Sequence, residues 1–454
     1  MIGEMTGRRH ILLTVVCALL FLTAVASVAC GRLPGRDAPS RTNGAAAPAG
    51  SGGRNGPEHQ QKPHVVLISF DGFRHDYLDR FVLPNFQRVL RRGVRADAMI
   101  PVFPSLTFPN HYSLVTGLYA EEHGIVDNAF YDPDLKRTYS FRDPATVTDA
   151  TWYRGEPIWV TAETQGMVAA CYFWPGSEAP IKGVRPTFWN KYDGAIPNDV
   201  RVATVLDWLR LPAERRPHLI TLYFSELDSA SHRAALDSPA IDRAARSLDR
   251  SLGLLLDGID SLPIRDRIHL LLTSDHGMAD TSAAQTISLA SVIDPGLFQV
   301  SFGGPVANLH VKREADAPAI RDRMNARLQH GRAYLRDELP ERYHYRDRRA
   351  GDIVVVMDES WTLATMPPLT AVVRNRWGNH GWDPAFPSMH ALFVVAGPGI
   401  SPGVRIPAID NVDVYPFITE LLGLRPAGPL DGRPGRIGAM IAAPTPFSSS
   451  TSPF

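Results

Sequence analysis

The segment IHLLLTSDHG, residues 268–277, decides the fold. A near-continuous apolar run of this length reads as a strand buried on both faces. It stops at the adjacent pair Asp275 and His276, which at a strand end would both face one crevice. The design recurs: HVVLISFDG (64–72) delivers Asp71, and LITLYFSELD (219–228) delivers Asp228. A fourth run, ALFVVAGPG (391–399), follows shortly after His380 in WGNHGWD (377–383). In open α/β sheets the ligand site lies outside the carboxyl ends of the strands. Carboxylates and imidazoles from distant parts of the chain therefore converge there, and a sheet builds a metal centre in this way.

Helical patterns lie between these runs. Asn198 reads as the cap of a helix in which Val202, Val205, Leu206 and Leu209 share a face. A second helix opens at Pro239, with Ile241, Ala245, Leu248, Leu252, Leu255 and Ile259 at helical spacing, and feeds the strand ending in Asp275. Strand, helix, strand in this order predicts an α/β fold with a mainly parallel central sheet, helices on its faces and right-handed crossovers. Residues 300–370 break the rhythm with ANLHVK, an Arg-rich stretch and GDIVVVMDE, and read as a smaller inserted cap.

The ends of the chain have other compositions. Arg8 and Arg9 precede an apolar run from Ile11 to Ala29, which reads as an export signal over residues 1–29. Cys30 follows small residues as at a lipoprotein cleavage site, although Ser27 stands where an aliphatic residue is usual. Simple cleavage after Ala29 and an uncleaved anchor are the competing readings. Residues 30–62, rich in Gly, Pro, Ala and polar types, bury too little to order themselves and read as a flexible linker. The catalytic domain is expected over 63–432, and 433–454 as a tail. Of the three cysteines only Cys171 lies beyond Cys30, so no disulfide framework is available. The 47 basic and 47 acidic residues balance, and no global field argues for a nucleic-acid polymer as partner.

A nucleophile candidate lies in PVFPSLTFPNHYSLVTGLYAEEHGIVDN (101–128), where prolines punctuate a loop leading into a helix near Thr107. A hydroxyl there faces free backbone N–H groups and the positive end of the helix dipole, a ready phosphate site. Threonine is a weak nucleophile unless a dication activates it. Taken alone, Thr107 reads more often as a plain N-cap. Asp71 alone is an ordinary turn former, the D-x-x-x-H of Asp228 and His232 often arises by chance, and a lone His380 is more often structural. Together Asp71, Thr107, Asp228, His232, Asp275, His276 and His380 form a mixed imidazole and carboxylate set without cysteine. Such a set suits zinc better than magnesium or calcium, and seven ligands suffice for two ions.

From about Val65 to Gly432 the chain resembles the nucleotide pyrophosphatase/phosphodiesterase (type I phosphodiesterase) family of the alkaline phosphatase superfamily, in the form of a bacterial exported member. The motifs are VVLISFDGFRHDYL, FPSLTFPNHYSLVTGLYAEEHGIVDN, YFWPGSE, LYFSELDSASH, TSDHGM, GNHGWDP and NVDVYPFITELLGLRPA. The resemblance implies two Zn2+, one held by Asp228, His232 and His380, the other by Asp71, Thr107, Asp275 and His276. It implies Thr107 as the attacking group, Asn128 on the phosphoryl oxygens, and Phe108, Trp174, Tyr192 and Tyr223 around a nucleotide. Taken singly, Trp174 and Tyr223 read as well as core residues. The chain departs from the family pattern at Leu227 and Ser231, which puts the local loop shape in doubt. The expected enzyme is a monomeric, periplasmic or cell-surface phosphodiesterase acting on small nucleotides, tethered through a lipidated Cys30. A phosphomonoesterase, a phospholipid phosphodiesterase and a surface lipoprotein that binds without turnover are the alternatives.

Overall fold

The computed structural model describes residues 52–365 and 376–442. The export signal, Cys30, most of the linker and residues 443–454 lie outside the described residues. No helix among the described residues is long and apolar enough to cross a membrane.

The strands of the two main sheets, in chain order, begin with β1 (His64–Phe70), β2 (Gly93–Ala96), β3 (Ala169–Tyr172) and β4 (Phe188–Asn190). Next come β5 (Leu219–Phe224), β6 (Ile268–Thr273), β7 (Phe298–Phe302) and β8 (Val306–Val311). The last are β9 (Gly331–Leu335), β10 (Ile353–Met357), β11 (Phe393–Ala396) and β12 (Val404–Ile406). The central eight-stranded sheet has the order β12-β2-β11-β6-β1-β5-β3-β4. All its strands run one way except β11, which is antiparallel to both β6 and β2. The reversal brings the start of β11 to the carboxyl ends of β1 and β6. His380, upstream of β11, thus reaches the same crevice as Asp71 and Asp275.

Apolar runs form the central strands because both faces of the sheet are covered. Along β1, Val65 and Leu67 enter one core cluster, while Val66, Ile68 and Phe70 enter the other. The helices that carry the site and its walls are α1 (Thr107–Thr116), α2 (Asn198–Arg210), α3 (Glu226–Ser231) and α4 (Pro239–Asp260). The spaced apolar residues of α2 and α4 are all buried in the Phe70 cluster. Truncating a fully buried one such as Leu252 to Ala costs about 2–5 kcal/mol. Asn198 is the first helical residue rather than the cap, a position taken by Pro197. Its amide donates instead to Glu226 (3.0 Å), tying α2 to α3.

The packed body begins before residue 63. Asn55 is buried, its Nδ2 donates to the carbonyls of Ala213 and Arg216, and its Oδ1 accepts from Val168 N–H. One amide thus satisfies three backbone groups, which the composition of the linker could not reveal.

The interruption in the rhythm is a lobe with its own core, including Leu289, Leu309, Ile320, Ile353 and Val355. Its antiparallel sheet has the order β7-β8-β10-β9, backed by α5 (Ala317–Asn325). The Arg-rich stretch fastens this lobe to the body. Arg349 is buried, pairs with Asp132 (2.7 Å) and donates to the carbonyls of Gly124 and Trp152. Asn308 of β8 donates to Asp127 (3.1 Å), and the Tyr345 hydroxyl donates to the carbonyl of Val126 (2.9 Å).

Candidate active site

Asp71 follows β1, Asp275 and His276 follow β6, and α3, which follows β5, carries Asp228 with His232 at its C-terminal end. The D-x-x-x-H spacing on α3 sets His232 Nε2 3.2 Å from Asp228 Oδ1. The loop-shape question raised by Ser231 is answered by a helix, in which Ser231 Oγ donates back to the Leu227 carbonyl (2.9 Å). His380 Nε2 lies 3.6 Å from the same Asp228 oxygen, and the His380 ring stacks on His276 at 3.6 Å. His276 Nε2 lies 2.9 Å from Asp275 Oδ2, 3.6 Å from Asp71 Oδ1 and 3.3 Å from Thr107 Oγ1. The proposed ligand residues are therefore brought together from five parts of the chain. Gly72 makes the close approach possible: it has φ +69°, and a Cβ there would sit 3.2 Å from Asp228 Cα. Its N–H donates to Asp275 Oδ1 (3.2 Å).

Asp71 Oδ1, Asp228 Oδ1 and Asp275 Oδ2 are all buried, and although imidazole nitrogens lie near them none accepts a well-aligned hydrogen bond. Buried acceptors of this kind are costly unless something positive meets them. The imidazoles are turned to match. His380 Nδ1 donates to the Ser105 carbonyl (2.9 Å) and His276 Nδ1 to that of Gly277 (2.8 Å), leaving both Nε2 atoms facing the carboxylates. The potential donor atoms of Asp228, His232 and His380 lie within 4.8 Å of one another. The same holds for Asp71, Asp228 and His276. The donor set fits bound cations.

The electrostatics agree. Burial, then the charges of Asp275 and Asp228, holds the Asp71 carboxyl well above its usual range. Burial opposes ionisation of Asp275 too, but the His276 and His111 imidazoles outweigh it and hold that group well below its usual range. His380 is pushed down to about 3 by burial and by His276, which keeps it neutral as a ligand must be.

Thr107 is the first residue of α1. Asn110 fixes the loop before it, accepting from Val102 N–H and donating to the carbonyls of Pro104 and Leu106. The expected row of free helix N–H groups is smaller than anticipated. Phe108 N–H donates to Asn128 Oδ1 (2.9 Å), and Pro109 has none. In exchange Asn128 is oriented, with its NH2 left for the cavity that it lines.

That cavity encloses about 600 Å3, with Phe108, Trp174, Tyr192 and Tyr223 on its walls. The four aromatics differ in exposure. Tyr192 is 47% exposed at the mouth, whereas Trp174 and Tyr223 are buried. The Tyr223 hydroxyl donates to Asp71 Oδ2, and the Trp174 indole donates to the His111 carbonyl (3.1 Å). Phe141, Arg142 and Lys191 also line the cavity, and sequence reasoning had not singled them out. It also missed His111, one helical turn after Thr107. The buried His111 ring bonds Ser69 Oγ through Nε2 (2.8 Å), and its Nδ1 lies 2.9 Å from the Thr107 carbonyl and 3.3 Å from Asp275 Oδ2. The i, i+4 spacing from Thr107 was the available signal.

Known proteins bear on this geometry. Residues 65–383 match the family described as type I phosphodiesterase / nucleotide pyrophosphatase. Ectonucleotide pyrophosphatase/phosphodiesterase family member 1 of Homo sapiens is 37% identical over 399 residues, covering 85% of this chain and 42% of the relative. The venom phosphodiesterase CdcPDE of Crotalus durissus collilineatus is 35% identical over 420 residues, covering 89% and 50%. The chain thus spans about half the length of these relatives, or less. The solved structure of murine ectonucleotide pyrophosphatase/phosphodiesterase 5 superposes with a TM-score of 0.76 at 31% identity, covering 82% of this chain and 97% of that one. An inactive threonine-to-alanine variant of the murine protein has been solved in complex with AMP. The fold is alkaline-phosphatase-like, and the chain belongs to the type I phosphodiesterase / nucleotide pyrophosphatase family.

Proposed function

We propose that the protein is an exported two-zinc phosphodiesterase that hydrolyses phosphodiester and pyrophosphate bonds of nucleotides through a phosphothreonine at Thr107. The observation that carries this reading is Thr107 Oγ1, 3.3 Å from His276 Nε2, on the wall of a cavity that also holds Asp71 and Asp228. Asp228, His232 and His380 would hold one ion, and Asp71, Thr107, Asp275 and His276 the other. When bound, the ions supply Lewis acidity, which activates a hydroxyl at neutral pH and offsets charge on the phosphoryl oxygens.

Thr107 Oγ1 attacks phosphorus and its proton passes to solvent. The bond from phosphorus to the leaving alcohol or nucleotide breaks on the opposite side, and the departing oxygen takes up a proton. Asn128, held by Phe108 N–H, donates from Nδ2 to a phosphoryl oxygen. Water then cleaves the threonyl phosphate and restores the hydroxyl. Aromatic walls suit a nucleobase, since stacking is worth roughly 1–3 kcal/mol per base and tolerates base identity. The AMP complex of the murine relative supports a nucleotide as ligand, and the ecto- and venom enzymes among the relatives support export.

Thr107→Ala is expected to keep the fold and most of the metal yet lose nearly all turnover, while Thr107→Ser keeps part of it. The substrate class is tested with a thymidine monophosphate nitrophenyl ester against p-nitrophenyl phosphate. Preference for the monoester would overturn the diesterase reading. Failure to turn over either ester with zinc bound would favour a protein that only binds.

A further inference from the structure

Residues 342–345, Arg-Tyr-His-Tyr, lie in the Arg-rich stretch between β9 and β10 and reach three loops that carry groups of the proposed chemistry. Tyr343 and Tyr345 are both buried, and between them they hold Phe103. The Tyr343 ring stacks on Phe103 at 4.1 Å, and the Tyr345 ring meets it edge-on at 5.1 Å. Phe103 lies four residues before Thr107, in the loop that opens α1.

Each hydroxyl reaches a different loop. That of Tyr343 donates to Asp383 (2.8 Å), three residues after His380. Arg342 donates to both oxygens of the same carboxylate, so two neighbours in the chain grip Asp383. The Tyr345 hydroxyl donates to the carbonyl of Val126 (2.9 Å), two residues before Asn128, and accepts from Asn308 Nδ2 (3.1 Å). The loops of Thr107 and His380 also meet directly, where Ser105 Oγ donates to the Trp382 carbonyl (2.8 Å). His344, between the two tyrosines, has φ +47°. A non-glycine residue in this region costs backbone energy and persists only where its surroundings over-determine it. The stack of its ring on Tyr119, at 3.9 Å, helps to hold it there.

Thr107, Asn128 and His380 stand on separate loops, and a displacement of about 1 Å between such groups can cost on the order of a hundredfold in rate. Loops are more mobile than the strands that they connect, so their relative positions need a common support. A lobe that was only fastened to the body could be gripped at any surface. Here the grip of residues 342–345 falls within four residues of each of the three groups.

We infer that Tyr343 and Tyr345 are positioning residues, which hold Thr107, Asn128 and His380 in one frame through Phe103, Val126 and Asp383. The inference rests on the diesterase reading above and adds to it a support that does not line the substrate cavity. The two hydroxyls divide the task. Tyr343 sets the His380 loop and with it the metal site, and Tyr345 sets Asn128 and with it the hold on the phosphoryl oxygens.

The test uses the zinc-loaded full chain, its Tyr343→Phe and Tyr345→Phe variants, and Tyr345→Phe combined with Asn128→Ala. Phenylalanine keeps each ring against Phe103 and removes only the hydroxyl. Tyr345→Phe is expected to lower kcat on the thymidine monophosphate nitrophenyl ester about tenfold, as for the loss of one hydrogen bond, with KM and zinc affinity unchanged. In the Asn128→Ala background the same substitution should cost less than about twofold, because the group that it aims is gone. Tyr343→Phe should instead weaken zinc binding about tenfold, read by competition with a chelator. Unchanged kcat and zinc affinity, a loss of about tenfold in both backgrounds, or equal losses of kcat, zinc affinity and Tm in the two variants would each overturn the inference. A wild type that turns over no ester would remove the diesterase reading, and the zinc measurement then decides alone. Equal affinity in wild type and both tyrosine variants would overturn the inference as well.

Discussion

His111 touches three of the parts on which the proposed chemistry depends: the Thr107 carbonyl, Asp275 and, through its own carbonyl, Trp174. Ser69 fixes its far nitrogen. Partners that orient ligating groups in this way are typically worth 10–100-fold in affinity or activity when removed. His111→Ala is expected to lower kcat by about that factor with a smaller change in KM, and steady-state kinetics with metal analysis of the same sample checks it. A fall in KM-type binding alone, with kcat intact, would show that His111 serves the nucleotide pocket instead. Its importance was hard to see in the sequence because its partners lie far from it along the chain. Asp275 and His276 were legible because two such groups side by side end an all-apolar strand, whereas Asp71, an ordinary turn former taken alone, was legible only together with them.

Among the elements, the ends of β1 and β5 away from the site carry an unusual pair. The rings of His64 and His218 stack at 4.4 Å, each donating from Nδ1 to the carbonyl of the residue preceding the other, Pro217 and Pro63. Burial, then the neighbouring His218, pushes His64 down to about 3, and burial pushes His218 down to about 4. The unfolded chain therefore binds more protons than the folded one below pH 6.5, until the folded histidines protonate. Stability should fall as pH drops from 6.5 towards 4, by at most about 1.4 kcal/mol per histidine per pH unit. Denaturant unfolding of wild type and of His64→Gln/His218→Gln across this range is the measurement, and the variant should show a flatter pH dependence. The inserted lobe makes a second prediction. Asn308 and Tyr345 grip residues 126 and 127, next to Asn128. Asn308→Ala should reduce kcat through a displaced Asn128, about tenfold for the loss of one buried hydrogen bond, with circular dichroism confirming an intact fold. The central strands were legible because burial on both faces forces apolar runs. The reversed direction of β11 was not, since strand direction leaves no mark on composition, and neither was the role of Arg349, whose partners lie in another lobe.

For the molecule as a whole, the proposed ions would bind only the folded state, so removing them should lower stability as well as activity. At ion concentrations about a thousandfold above Kd the linkage is worth about 4 kcal/mol. Chelation is thus expected to lower Tm by several degrees and zinc to restore it, as read by calorimetry on one sample. A Tm indifferent to chelator would mean that the clustered carboxylates carry no structural cation.

The ligand set spans the catalytic body from Asp71 to His380, and this spacing acts as an interlock on assembly. A nascent or nicked chain that lacks WGNHGWD can close most of the central sheet, yet it leaves Asp228 and His232 without His380 and leaves the His276 ring unstacked. Hydrolytic competence would therefore arrive late in folding, after the lobe has been threaded through and β11 has returned against β6. Turnover would then report a finished molecule, and no fragment ending before His380 should cleave a phosphodiester, however well its first strands fold.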